Sequence, residues 1–208
     1  MKQEYNYDNK ISAIGRKAAD LLILNIIFVV TCIPLFTIGA AVTALYDVTL
    51  KMVKDRESYI VKSYFKSFKA NFKRSTALWL VIAIIFGVIL GDLKIISVLD
   101  SDFWFVIRAL LISIFIIIWV IVSYIFPLQA RFILTWKQTW RNAIALSIKH
   151  LKCTIPIVVL NSIYIPAAFV EGDLALYVSA IYLFVGFAFV AYINSLLINT
   201  IFEPYYPE

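Results

Sequence analysis

The residue types able to carry chemistry are sparse in this chain. His150 is the only histidine, and the two cysteines, Cys32 and Cys153, lie far apart inside or beside apolar sequence. Such a set gives no multi-histidine metal site, no Cys/His metal spacing and no redox pair. The cysteines read as small buried hydrophobes. No glycine-rich phosphate loop occurs, so the chain carries no nucleotide motor of its own. The acidic residues are scattered between linkers, and no Ser/His or Asp/Asp pair falls in facing apolar segments, as an intramembrane hydrolase would need. The expectation is a non-enzyme that holds no cofactor and no metal.

What remains is a set of polar residues inside apolar runs: Asn25, Thr31, Thr43, Ser113, Ser123, Gln129, Asn161, Asn194, Ser195 and Asn199. Intramembrane amides and hydroxyls either line a solute path or join helices through hydrogen bonds worth about 1 kcal/mol or less. Joining helices is the expected role. Asp47 is the acidic residue deepest in a potential span. It could hold a proton or a cation, but Lys51 follows one helical turn later and offers a simpler partner. Arg108, near the outer edge of its run, is expected to snorkel to the interface.

The elements that carry these residues follow from composition. Hydrophobic residues make up 62% of the 208 positions and charged residues only 15%, against about 25% charged in an ordinary soluble domain. Lipid is the solvent that suits such a chain. The formal net charge of +6 belongs to membrane-facing linkers, and nucleic acid is excluded as a partner because the basic residues flank lipid-grade sequence. Five runs lack charge: 21–46, 75–91, 109–130, 153–170 and 174–202. Each approaches or exceeds the roughly 20 apolar residues that a helix needs to cross a bilayer. Barrel strands would be shorter and would alternate at period two. The fold class is therefore all-α: a polytopic helical bundle, one integral membrane domain over 1–208, with five apolar blocks forming five or six helices.

Basic residues set the orientation. The linker after the first block carries Lys51, Lys54, Arg56, Lys62, Lys66, Lys69, Lys73 and Arg74, and that after the third carries Arg131, Lys137, Arg141, Lys149 and Lys152. The linkers after the second and fourth are acidic on balance. The basic linkers and the C-terminus are expected in the cytoplasm. A single first span would leave Lys2, Lys10, Arg16 and Lys17 outside, against the same rule. A break near Pro34 resolves this, giving a hairpin of residues 12–35 and 38–54 with Thr37 capping the second helix. Both ends then lie inside. The N-terminus does not read as a cleaved signal peptide.

Two linker segments are amphipathic. In 59–74, Val61, Phe65, Phe68 and Phe72 repeat at helical spacing, and Lys62, Lys66, Lys69 and Lys73 follow one residue later. This predicts a cytoplasmic interfacial helix, its lysines toward anionic headgroups or a partner protein. In the second, Trp136, Trp140, Ile144, Ile148 and Leu151 keep helical spacing beside Lys137, Arg141 and Lys152. The small residues Gly39, Ala40, Ala41, Thr43 and Ala44, just after Pro34, predict close helix packing. Pro156 and Pro166 predict a kinked fourth span.

The chain resembles the YesL family of bacterial membrane proteins. The resemblance is carried by LNIIFVVTCIPLFTIGAAVTALY at 24–46, FKSFKANFK at 65–73 and FPLQARF at 126–132. The Pro34, Thr37, Ile38, Gly39 pattern is its most specific part. It implies a family mainly of Gram-positive bacteria whose genes lie beside oligosaccharide importers of the ATP-binding-cassette type. The implied role is a non-enzymatic accessory subunit in the plasma membrane, with permease subunits as partners besides the lipid bilayer. A permease coupling loop would start Glu-Ala-Ala and carry a glycine soon after. Residues 142–151 (NAIALSIKHL) have neither, which argues against the chain being that permease. The alternatives are an independent small-solute transporter or channel and a membrane regulator of a sensor kinase.

Overall fold

Proline 34 divides the first apolar block. In a computed structural model of the protein, helix α1 (Lys2–Cys32) ends just before it, a short 3-10 turn covers Leu35–Thr37, and α2 (Ile38–Val53) runs back along α1. The antiparallel return is closed at the far end by an ion pair between Lys17 and Asp55 at 2.9 Å. The hydrogen bond to Asp55 holds the Lys17 ammonium above its ordinary pKa. Asp55 itself ends α2 in the left-handed region at φ 50°, a conformation that Asp tolerates better than most residues. The hairpin expected from the charge rule is therefore present. One detail differs. Thr37 occupies the cap position of α2, but its hydroxyl turns back to donate to the carbonyls of Thr31 and Pro34. It closes the end of α1 instead of opening α2, satisfying carbonyls that a terminating helix leaves free.

The remaining elements are α3 (Ile60–Ile96), α4 (Asp102–Arg131), α5 (Trp136–Lys149), α6 (Leu151–Ser162) and α7 (Asp173–Ile181). A π-helical turn over Tyr182–Gly186 leads into α8 (Phe187–Phe202), and a 3-10 turn covers Glu203–Tyr205. The structure describes the backbone of 2–55, 59–99, 102–163 and 173–205, and the side chains of 15–55, 59–99, 103–163 and 176–205. All regular structure among these residues is helical. Among the described residues, four helices are long and apolar enough to cross a membrane, and five if the bent pair α5–α6 counts as one span. The first arm of the hairpin is not among them, because Arg16, Lys17 and Asp20 interrupt its apolar sequence. Pro166 lies outside the described residues.

Helix α2 is the axis of the bundle. Gly39, Ala40, Ala41, Thr43, Ala44, Leu45, Val48 and Thr49 are all buried. Its closest neighbour is α3. A Cβ built on Gly39 would overlap the Ser75 carbonyl oxygen and the Trp79 side chain, so glycine is required by the approach of the two backbones. The Trp79 indole then donates to the Leu35 carbonyl at 2.8 Å, pinning the hairpin tip. Beyond Trp79, α3 continues to Ile96, about 25 Å at 1.5 Å per residue. Together with the start of α4, it forms an arm reaching past the hairpin.

The amphipathic segment of the first linker is not a separate surface helix. It is the first half of α3, continuous with the apolar run. The physical reason is that neither proline nor glycine occurs between Tyr59 and Phe86, together with packing against α2. The face it buries is Ile60, Tyr64 and Ser67, one position away from the aromatic stripe. In the second linker, α5 packs Thr139, Ala143, Leu146 and Ser147 inward and meets α6 at 107°. Thr154 holds this bend. Its hydroxyl donates to the Ser147 carbonyl at 2.9 Å and pairs with the Tyr124 hydroxyl at 2.8 Å.

Candidate functional site

Interhelical polar contacts converge on α2 from three sides. On the α3 and α4 side, the Thr43 hydroxyl donates to Ser75 Oγ at 2.9 Å, and Ser75 donates to Gln129 Oε1 at 2.7 Å. On the α8 side, the hydroxyls of Thr49 and Ser195 pair at 2.7 Å. One turn above, Asn194 Nδ2 donates to the Tyr46 hydroxyl at 3.2 Å and to Asn161 Oδ1 at 2.7 Å. Asn161 in turn donates to Ser123 Oγ at 3.2 Å, so this relay ties α2, α8, α6 and α4 together. On the α1 side, Tyr64 of α3 pairs with the Thr31 hydroxyl at 2.6 Å and donates to the Ala41 carbonyl of α2 at 3.5 Å.

Asn25 has a distinct task. Its Nδ2 donates to the Tyr182 and Leu183 carbonyls at 3.1 and 2.8 Å, and its Oδ1 accepts the Ala188 amide at 2.9 Å. The two carbonyls belong to the π turn and the amide follows it, where the i to i+4 ladder is interrupted and carbonyls lose their regular partners. With no water in an apolar bundle, a side-chain amide must replace them. Gly186 completes the turn, since a Cβ there would strike the Tyr182 ring.

Two concavities border this framework. An apolar cavity of about 320 Å³ lies between α1, α2, α3, α4, α6 and α8, walled by Phe28, Val42, Trp79, Trp119 and Phe126, with Ser123 and Asn161 among its polar points. A second, of about 440 Å³, opens beside the basic linkers between α2, α3 and the end of α4. It contains Asp47, Lys51, Lys66, Arg74, Gln129 and Arg131. Asp47 and Lys51 pair at 2.8 Å, as their one-turn spacing implies, and Lys51 also donates to Ser63. Among the described residues no group of three His, Cys, Asp or Glu stands close enough to hold a metal ion.

The residues singled out by spacing fall into two sets. Gly39, Ala40 and Thr43 are buried at the α2 contacts, while Pro34 is exposed at the hairpin tip. Val61, Lys62, Phe65, Lys66, Lys69 and Lys73 are exposed along α3, with Phe68 and Phe72 half-buried. Phe68 lies 6.2 Å from Tyr64 and 5.5 Å from Phe72, ring to ring. Trp136 and Arg141 are exposed on α5, and Trp140 is half-buried. α3 starts against α2, whereas α5 packs on α4 and α6. Arg108 does not simply snorkel. Its guanidinium donates to the Ile96 carbonyl at 3.0 Å, where a cation favours a helix C-terminus.

Residues 21–93 match the family described as DUF624, a protein of unknown function. The matched stretch covers the apolar part of α1, all of α2 and most of α3, which is the unit closed by Gly39 and Trp79. No curated protein and no solved structure matches the chain. Sequence reasoning missed Tyr46, Thr49, Ser75, Tyr124 and Thr154 as bundle contacts. Their signal was a hydroxyl in or beside a charge-free run, at helical spacing from small residues.

Proposed function

We propose that the chain is a non-enzymatic accessory subunit of an ATP-binding-cassette importer of oligosaccharides, bound to its permease subunits in the plasma membrane. The reading rests on the YesL resemblance, whose segments at 24–46 and 65–73 lie inside the DUF624 match. One structural observation carries the docking part. The first half of α3 uses Ile60, Tyr64 and Ser67 for its own bundle, leaving Val61 and Phe65 exposed beside the lysine row. Apolar side chains interleaved with cations on a rigid helix suit an acidic, apolar-rimmed groove on a partner. With the basic linkers facing the cytoplasm, both termini and this strip lie on the side where importer ATPases work.

The test is affinity purification of the tagged chain from its native membrane in mild detergent. Stoichiometric recovery of permease subunits is expected, with loss of that recovery in a Lys62→Glu, Lys66→Glu, Lys69→Glu variant. Recovery of the chain without any permease overturns the proposal. A second reading, an independent small-solute transporter, is favoured by the 320 Å³ cavity with Ser123 and Asn161 in its wall. Uptake into liposomes by the purified chain, abolished by Asn161→Leu, would select it. Signalling by a neighbouring sensor kinase that changes on deletion of the gene would instead favour a regulatory role.

A further inference from the structure

The crevice beside the basic linkers has a composition that the bundle does not need for its own cohesion. Four cations, Lys51, Lys66, Arg74 and Arg131, face it with a single carboxylate, Asp47. That carboxylate is already engaged by Lys51 at 2.8 Å, so it does not offset the positive charge that Lys66 and Arg74 bring to the recess. Gln129 is 4% exposed. Its Oε1 takes the Ser75 proton at 2.7 Å, and its Nε2 is left buried without a hydrogen-bond partner among the described residues. Arg74 Nη2 is buried and unpartnered in the same way. A buried donor without a partner forfeits the hydrogen bond it made with water, and the loss is greater when the donor is charged. Both side chains line one positively charged recess, so an acceptor entering it has two unmet donors at its wall.

Depth narrows the ligand. Arg74 immediately precedes the charge-free run 75–91, and Arg131 immediately follows the run 109–130. Both cations thus stand where the apolar spans meet the basic linkers, at the level of lipid headgroups. A guanidinium with a free edge, an amide N–H and nearby ammonium groups match the several oxygens of a phosphate. A carboxylate of similar charge offers fewer acceptors. We infer that this crevice binds a phosphate group presented at the membrane–water boundary, with Arg74 and Gln129 as its direct donors and Lys66 and Arg131 supplying the field. The phosphate can belong to an anionic phospholipid headgroup or to a soluble phosphorylated solute. The inference does not depend on association with an importer.

Native mass spectrometry of the full-length chain in mild detergent tests it, with phosphatidylglycerol, phosphatidylcholine and inorganic phosphate as separate probes. Saturable binding of phosphatidylglycerol over phosphatidylcholine is expected, weakened about tenfold by Arg74→Gln, the loss of one charge-assisted contact. Gln129→Glu keeps an acceptor for Ser75 but places a negative charge in the recess, and it should abolish binding. It also serves where Arg74→Gln fails to fold, with helicity checked by circular dichroism. Lys137→Gln, on the exposed face of α5, should leave binding unchanged. Saturable binding of inorganic phosphate without phosphatidylglycerol, sensitive to the same substitutions, also supports the site and assigns it to a soluble ligand. Failure of every probe to bind saturably overturns the inference, as does binding equal in the wild-type chain and in a folded Gln129→Glu variant.

Discussion

Around α2 the helices meet through small residues and relays of hydroxyls and amides, whereas the α3–α4 arm beyond Trp79 meets largely through rings. In the arm, Phe86 lies 4.9 Å from Phe115 and 6.0 Å from Trp119. Its far end is tied by Arg108 to the Ile96 carbonyl. Its outward faces are aliphatic and exposed, including Ile84, Val88, Leu110 and Ile117. The contrast reflects the solvent. Lipid tails are as apolar as Leu or Ile, so burying those side chains between helices gains little in a membrane. Helices stay together there when their backbones approach closely or when a polar group would otherwise lack a partner. The hairpin with the first half of α3 uses both devices. The arm uses few of them and leaves its aliphatic faces to lipid.

The strongest way to break this contrast is at Gly39. Replacing it with Leu should separate α2 from α3 and abolish recovery of monodisperse protein in detergent, read by size-exclusion chromatography. Gly39→Ala should destabilise by about 1–3 kcal/mol in a thermal or denaturant unfolding assay, the usual range for overpacking. A folded, unaltered Gly39→Leu chain would mean that the α2–α3 contact is not as close as described.

Asn25→Leu comes next. It strands the Tyr182 and Leu183 carbonyls and the Ala188 amide in an apolar setting, at a cost of about 1–3 kcal/mol. Asn25→Ala should cost a similar amount, because the loss is of hydrogen bonds and not of volume. If Asn25→Leu raised the midpoint of unfolding, the π turn would have to be satisfied by something else.

A smaller effect is expected for the Thr49 and Ser195 pair. A double-mutant cycle with Thr49→Val and Ser195→Ala should give a coupling near 0.6 kcal/mol and no more than about 1.7 kcal/mol, as found for interhelical hydrogen bonds in membranes. A coupling of zero would reduce the contact to shape alone. Smallest of all, Ile84→Val and Ile117→Val in the arm should each stay within about 0.5 kcal/mol. A larger loss at either position in the native membrane, absent in detergent, would show that a protein partner and not lipid covers that face.

Much of this architecture was legible in the residues. The charge-free runs marked the apolar helices, and lysines that offended the positive-inside pattern pointed to a reversal at Pro34. The Asp47–Lys51 pair followed from helical spacing. These features depend on neighbours within a few residues, or on the cost of moving charge into lipid, and both are written along the chain. The helical period of the Lys and Phe rows was correct, but their environment was not readable. The same repeat suits a helix lying on a membrane and the first half of a long spanning one, and only packing of Ile60, Tyr64 and Ser67 decided between them.

The partners of the buried polar groups were decided by tertiary structure alone. An asparagine in an apolar run must find a partner, but nothing in its neighbourhood says which. Asn25 is joined to a backbone break more than 150 residues away, because that is where the helical ladder leaves carbonyls free. The basic crevice has the same origin. Arg74 and Gln129 belong to different helices and look unremarkable in each. The close approach at Gly39 and the Ser75 relay bring them to one recess, where two unmet donors acquire a common purpose. Hydropathy and charge act residue by residue and so survive in one dimension, whereas hydrogen-bond satisfaction is a property of pairs that only folding creates.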